Sequence, residues 1–333
     1  MTQNFDGENF TYQSENLRTA DEKRFIRRAG NAIGIAGIIV AAVSQLWYYA
    51  AVRIARLFGI AEESVRATVT NAGFSQFVQV LFSVFCFFVP FLIAAGIMRL
   101  KISAAVPFGK IKKGTFLPYL IAGVSFCAFA NLALGYASSI FEALGFDYNV
   151  PADELPKGVI GFLIFTIASA VVPAMVEEFG CRGILIGILK PMGEGFAIVI
   201  SAAVFGLLHG NFIQIPFAFL IGLILGFIRI KTGSLLLCIL IHFINNFISV
   251  LLNYLGETVN STVINVCYLI YLALCLALSF AAIRIIDKKD GLKLNKALSE
   301  TGEKQKIKWF VSSPAVIIFI VLEMINSFRF FFI

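Results

Sequence analysis

Only two histidines, His209 and His242, occur in 333 residues, and both lie inside apolar segments. Glu177, Glu178 and Glu323 lie inside such segments too, and Arg182 is the only basic residue well inside one. Within hydrocarbon an ionisable side chain is expensive, so each of these residues marks a candidate site. Their depths are comparable. Glu177 precedes Lys190 by 13 residues, or ~20 Å of helix. His209 follows Gly195 by 14 residues, or ~21 Å, and His242 follows Lys231 by 11, or ~17 Å. If these three segments neighbour one another, the three side chains can meet in one polar cavity.

Spacing adds detail. Glu178 and Arg182 are four apart and share a helix face, so Arg182 can neutralise Glu178. Glu177 points ~100° away and is left to act as a base. His242 and Asn246 are also four apart, and imidazole and amide there could bind a water, a metal or a developing oxyanion. Gly180, Gly183, Gly206 and Gly210 allow close approach of another backbone. Any one of these polar residues could serve only as an interhelical hydrogen bond. Glu177, His209, His242 and Asn246 together read as a reaction site. Cys181, beside the cluster, reads as packing.

The elements that position these residues are membrane helices. Hydrophobic residues make up 59% of the chain and charged residues 14%, more apolar surface than one water-soluble core can hide. Disorder, an outer-membrane barrel and a disulfide scaffold are all excluded by this composition, by the continuous apolar runs and by six scattered cysteines. The expected class is an all-α polytopic membrane helix bundle of eight or nine transmembrane segments. Apolar runs fall at 31–52, 76–98, 115–138, 158–189, 196–210, 216–230, 234–254, 264–285 and 310–328. The fourth, which bears Glu177, is too long for a simple span and is expected to kink at Pro173. Pro216 is expected to separate the short fifth and sixth.

Nine crossings with the N-terminus inside place 21 of the 27 Lys and Arg residues on the inner side. This predicts a multi-pass protein with a cytoplasmic N-terminus. The net charge of +7 is a topology signal, and no nucleic-acid partner is expected. Residues 1–29 form a polar cytoplasmic segment without a signal peptide, 30–154 accessory helices, 155–255 the core with the polar cluster, and 256–333 the C-terminal helices. Within the last, 286–308 is expected as a basic, solvated cytoplasmic linker at the lipid headgroups. Residues 52–67 read as an interfacial helix, and Asn260-Ser261-Thr262 fits a glycosylation sequon.

Glu177-Glu178-Phe179-Gly180-Cys181-Arg182 fits an EExxxR motif, Phe205 to His209 an FxxxH motif and His242 to Asn246 an HxxxN motif. This ordered trio resembles the CAAX-protease and bacteriocin-processing (CPBP, or Abi) family, which includes the type II CAAX prenyl endopeptidases. The resemblance covers about 155–255. It implies an intramembrane endopeptidase in which Glu177 and His209 activate water. His242 and Asn246 would be either metal ligands or the pair that stabilises the oxyanion, and Glu178 with Arg182 a structural ion pair. A divalent metal such as zinc on Glu177, His209 and His242 is one version, and a glutamate protease without metal the other. The partners implied are membrane lipid and a membrane-associated or lipidated peptide or protein substrate, and the breadth of the family implies a prokaryotic plasma membrane. Two alternatives stand beside this reading: a non-catalytic scaffold or immunity-type protein of the same family, and a proton-coupled transporter.

Overall fold

The computed structural model describes residues 19–64, 72–106, 111–112, 114–145, 158–295, 299 and 301–329. They form ten longer helices, α1 (Thr19–Leu57), α2 (72–98), α3 (Phe116–Ala143), α4 (Gly158–Met192), α5 (Glu194–Leu207), α6 (Gln214–Thr232), α7 (Leu235–Gly256), α8 (Ser261–Asp290), α9 (Glu303–Val311) and α10 (Pro314–Arg329), and one short turn of helix, Ile102–Ala105. No strand occurs among the described residues. The fold is an all-α polytopic bundle, and every expected apolar run carries a helix.

Crossings number seven by length and apolarity, or eight if α9 and α10, bent by 73°, count as one span. The difference from nine lies in α5, whose 14 residues reach only ~21 Å against a hydrocarbon core of ~30 Å.

Several boundaries differ from the sequence expectation. Helix α1 starts at Thr19, so part of the polar 1–29 segment is helical, with Asp21 and Glu22 in the first turn where the helix dipole favours acids. It runs on to Leu57, so residues 52–57 extend α1 beyond its candidate span, Thr19–Trp47, and residues 62–64 are helical again after a break. Residues 65–67 of that expected helix lie outside the described residues. The break between α5 and α6 falls at 208–213, where Asn211 Oδ1 accepts from the backbone N–H groups of Ile213 and Gln214. Pro216 sits in the first turn of α6, where its missing N–H costs nothing. Asn260 of the sequon caps α8 by accepting from Thr262 N–H.

Helix α4 is interrupted by two π-helical stretches, Ile167–Val171 and Phe179–Leu185, in place of a single kink at Pro173. A third π stretch, Val84–Phe88, lies in α2. Pro173 and Pro90 each follow one of them in the next α-helical turn. A proline removes one hydrogen bond and crowds the carbonyl four residues back, and a wider π turn before it relieves both.

One main core joins α1, α2, α4, α5, α6 and α7, built on residues such as Ile26, Ile33, Phe91, Leu185, Phe196 and Ile241. Close approach between α1 and α10 depends on small residues: a methyl group at Gly34 would lie 2.5 Å from the carbonyl carbon of Ala315. Outward faces carry large exposed apolar side chains, among them Leu269, Ile270, Leu274 and Phe280 on α8. Surface of that kind requires lipid, and the chain is a multi-pass membrane protein.

Several chain ends meet at one end of the bundle. Lys112 Nζ donates to the Lys289 carbonyl and the Asp290 carboxylate, Lys231 Nζ to the carbonyls of Asp290 and Lys293, and Asn295 to the Glu194 carboxylate. The segment 286–308 is therefore tied down, in contrast to the solvated linker expected from its charge. It is helical up to Asp290 and again from Glu303. Lys306 is buried and donates to the Met192 carbonyl and to Glu303.

Candidate active site

Helices α4 and α7 pack side by side and bring four of the expected residues together. Glu178 and Arg182 form an ion pair of 2.9 Å with both side chains 0% exposed. The same carboxylate oxygen, Glu178 Oε1, accepts from His242 Nδ1 at 2.9 Å. The other ring nitrogen, His242 Nε2, lies 3.8 Å from Glu177 Oε2, and the Glu177 side chain keeps 16% exposure. One imidazole thus stands between two sequence-adjacent carboxylates. The first is buried and paired with Arg182, and the second remains accessible. Because Nδ1 donates to Glu178, Nε2 is the nitrogen turned toward Glu177.

His209 arrives differently. It sits in the turn that closes α5, and its Nδ1 lies 2.8 Å from the Phe205 carbonyl. A carbonyl only accepts, so Nδ1 carries the proton and Nε2 keeps the lone pair of the neutral ring. Glu177 and His209 make no hydrogen bond or ion pair with each other. Phe205 links the histidines instead. Its ring meets His209 edge-on at 4.9 Å and His242 at 5.8 Å between centroids, and the Arg182 guanidinium lies 4.3 Å from its centre. The aromatic residue of the FxxxH motif therefore touches a residue from each of the three motifs, and its face receives the buried cation.

The π stretch 179–185 starts directly after Glu178. Two successive carbonyls in it take side-chain donors from neighbouring helices. Ser201 Oγ of α5 donates to the Cys181 carbonyl at 2.8 Å, and Arg229 Nε of α6 donates to the Arg182 carbonyl at 3.1 Å. Arg229 also reaches the Ala105 carbonyl at 3.4 Å. Counted from sequence as a loop charge, Arg229 is a buried residue that fastens this turn. Gly180 lies where a methyl group would stand 2.5 Å from the Phe91 ring, whereas Gly183 has its nearest neighbour at 3.4 Å. Asn246 accepts at Oδ1 from Asn245 Nδ2, and Asn245 accepts at Oδ1 from Asn131 Nδ2 of α3.

The four helices α4 to α7 coincide with a match to a protein-family model, type II CAAX prenyl endopeptidase Rce1-like, over residues 159–248. Over these residues the chain is similar to the type II CAAX prenyl endopeptidase family. Neither a curated protein nor a solved structure matches the chain. The family match ends within α7, so α1 to α3 and α8 to α10 flank the matched core in sequence.

Within this matched core, a three-ligand metal site on Glu177, His209 and His242 does not fit the arrangement. Among the described residues no three His, Cys, Asp or Glu side chains are grouped closely enough to hold a metal ion. The residues that sequence reasoning passed over are Phe205 as a hub, Ser201 and Arg229 as braces, and Asn131 and Asn245 as neighbours of Asn246. Each carried a signal, namely a polar or aromatic residue in an apolar stretch, but none showed which partner it would meet.

Proposed function

We propose that this chain is a membrane-embedded endopeptidase that hydrolyses a peptide bond of a membrane-associated or lipidated peptide, with Glu177 as the base that activates water. The observation that carries this reading is the position of His242, bonded to Glu178 on one side and facing Glu177 on the other. A water ~2.8 Å from both His242 Nε2 and Glu177 Oε2 would meet them at roughly a right angle, which suits its two hydrogens. Glu177 takes the proton as that water attacks the scissile carbonyl carbon. An Asn246 N–H stabilises the oxygen as it gains charge, and the proton then passes from Glu177 to the leaving amine nitrogen as the C–N bond breaks. The buried Glu178–Arg182 pair holds His242 in register and does not touch the substrate.

The family match supports a protease of the CAAX type, and the exposure of Glu177 beside a fully buried Glu178 supports the division of roles. The test compares peptides released from membranes containing equal amounts of wild type or Glu177→Gln, by mass spectrometry. Fragments found only with the wild type would establish proteolysis and give the cleavage site. Identical profiles would sink the protease and favour a scaffold, while pH-dependent ion flux lost with Glu177→Gln would favour a transporter.

A further inference from the structure

Asn131, Asn245 and Asn246 form a row of side-chain amides running from α3 to a position one helical turn after His242 on α7. Asn131 Nδ2 donates to Asn245 Oδ1 at 2.8 Å, and Asn245 Nδ2 donates to Asn246 Oδ1 at 3.1 Å. All three are half-buried, and Asn131 lies mid-way along a span that carries no motif and stands outside the family match. An unpaired amide at such depth is costly, so the row holds together.

A side-chain amide has an acceptor end and a donor end, and a chain of amides therefore has a direction. Here the direction runs from Asn131 to Asn246. The Asn246 oxygen is occupied, and its NH2 group is the end left for other partners. Turning Asn246 over would set its NH2 against that of Asn245 and lose a hydrogen bond. Asn245 cannot turn with it while Asn131 donates to its oxygen. We propose that Asn131, acting through Asn245, is a positioning residue that makes Asn246 present an N–H donor, and not a carbonyl, to the developing oxyanion. This rests on the protease reading given above. It assigns to an accessory helix a part in the reaction that the three motifs do not contain.

The experiment uses the full chain in detergent micelles, with an internally quenched peptide ending in a prenylated CAAX sequence as the probe. Asn131→Leu removes the donor at nearly constant volume. The expected result is a fall in kcat of about tenfold to a hundredfold with little change in KM, because one transition-state donor is misaligned but not deleted. Asn246→Ala should lose more, and Asn131→Leu/Asn246→Ala should be no worse than Asn246→Ala alone. An unchanged kcat, or additive losses in the double variant, would overturn the proposal.

A second readout does not need activity. In protein labelled with 15N in asparagine side chains, the NH2 resonances of Asn245 and Asn246 should move in Asn131→Leu, and that of Asn246 in Asn245→Ala should Asn131→Leu fail to fold. Resonances that stay in place would refute the relay even in an inactive protein. If the wild type cleaves nothing while the resonances move, the protease reading fails and the relay stands as geometry.

Discussion

Replacing Arg182 by Met tests the charge balance on which the whole site depends. Arg182 and Glu178 are paired at 2.9 Å with no exposure, and Glu178 is left with only the His242 Nδ1–H if the guanidinium goes. Removing one partner of a buried pair costs about 3–5 kcal/mol, because a carboxylate remains in a medium that cannot solvate it. The cation over Phe205 adds up to ~2 kcal/mol to the loss. Against this, Arg182 Nε and Nη2 have no hydrogen-bond partner in the protein, and removing them relieves about 1–3 kcal/mol in all, which offsets the loss of the cation over Phe205. The net expectation is the lower end of the range, about 3 kcal/mol, which is roughly a hundredfold in the unfolding equilibrium. Titration with SDS in mixed micelles, followed by tryptophan fluorescence, measures it. The double variant Glu178→Gln/Arg182→Met removes both charges and keeps an acceptor for His242, so it should return to within about 1 kcal/mol of wild type. A single variant as stable as wild type, or a double variant as unstable as the single, would refute the reasoning.

Gly180→Ala should destabilise by about 1–3 kcal/mol in the same titration, because its methyl group would stand 2.5 Å from the buried Phe91 ring. Gly183→Ala, with 3.4 Å to its nearest neighbour, should be neutral or stabilising by up to ~1 kcal/mol; equal losses at the two positions would contradict the packing. Phe205→Leu should leave a folded protein with peptide cleavage reduced about tenfold or more, since the ring holds both histidines edge-on and covers Arg182; full activity would show the ring to be filler. Arg229→Met strips a charged donor from the Arg182 and Ala105 carbonyls, at about 1.5–3 kcal/mol per bond for the stronger of the two. Amide hydrogen exchange within 179–185 should quicken selectively, and uniform exchange across α4 would argue against a local brace.

What could be read from the sequence was whatever depends on local composition. The apolar runs became helices because hydrocarbon allows the backbone few other ways to satisfy its polar groups. The Glu178–Arg182 spacing worked because four residues return to the same face whether the turn is α or slightly wider. Depth counting put Glu177 and His242 at a common level, and they lie within 4 Å of each other. It was less informative for His209, which hangs from the Phe205 carbonyl in a turn and makes no direct bond to Glu177. Charge misled at Arg229 and Lys306. A basic residue near the end of a span was taken to face water, yet both are buried with carbonyls as partners. Long side chains find carbonyls at helix ends, and no local pattern distinguishes that from a solvated lysine.

The π stretch explains why these non-local partners were needed. A regular helix closes each carbonyl on the amide four residues on, so neighbouring helices have only surface packing to hold them together. In 179–185 the bonds skip to the fifth residue, the turn widens, and the carbonyls of Cys181 and Arg182 accept from Ser201 on α5 and Arg229 on α6. The segment that follows the two glutamates is thus tied by directional bonds to the helix that leads to His209 and to the helix after it. A shift of α5 or α6 by one residue would leave two buried carbonyls without these donors, so the interhelical register near the site is set by hydrogen bonding as well as by shape. On α7 the same logic recurs with side chains alone: His242 is fixed by Glu178, and Asn246 by an amide row anchored on α3. His242 is tied to another helix directly and Asn246 through Asn245, which is how polar side chains can be held in place within lipid.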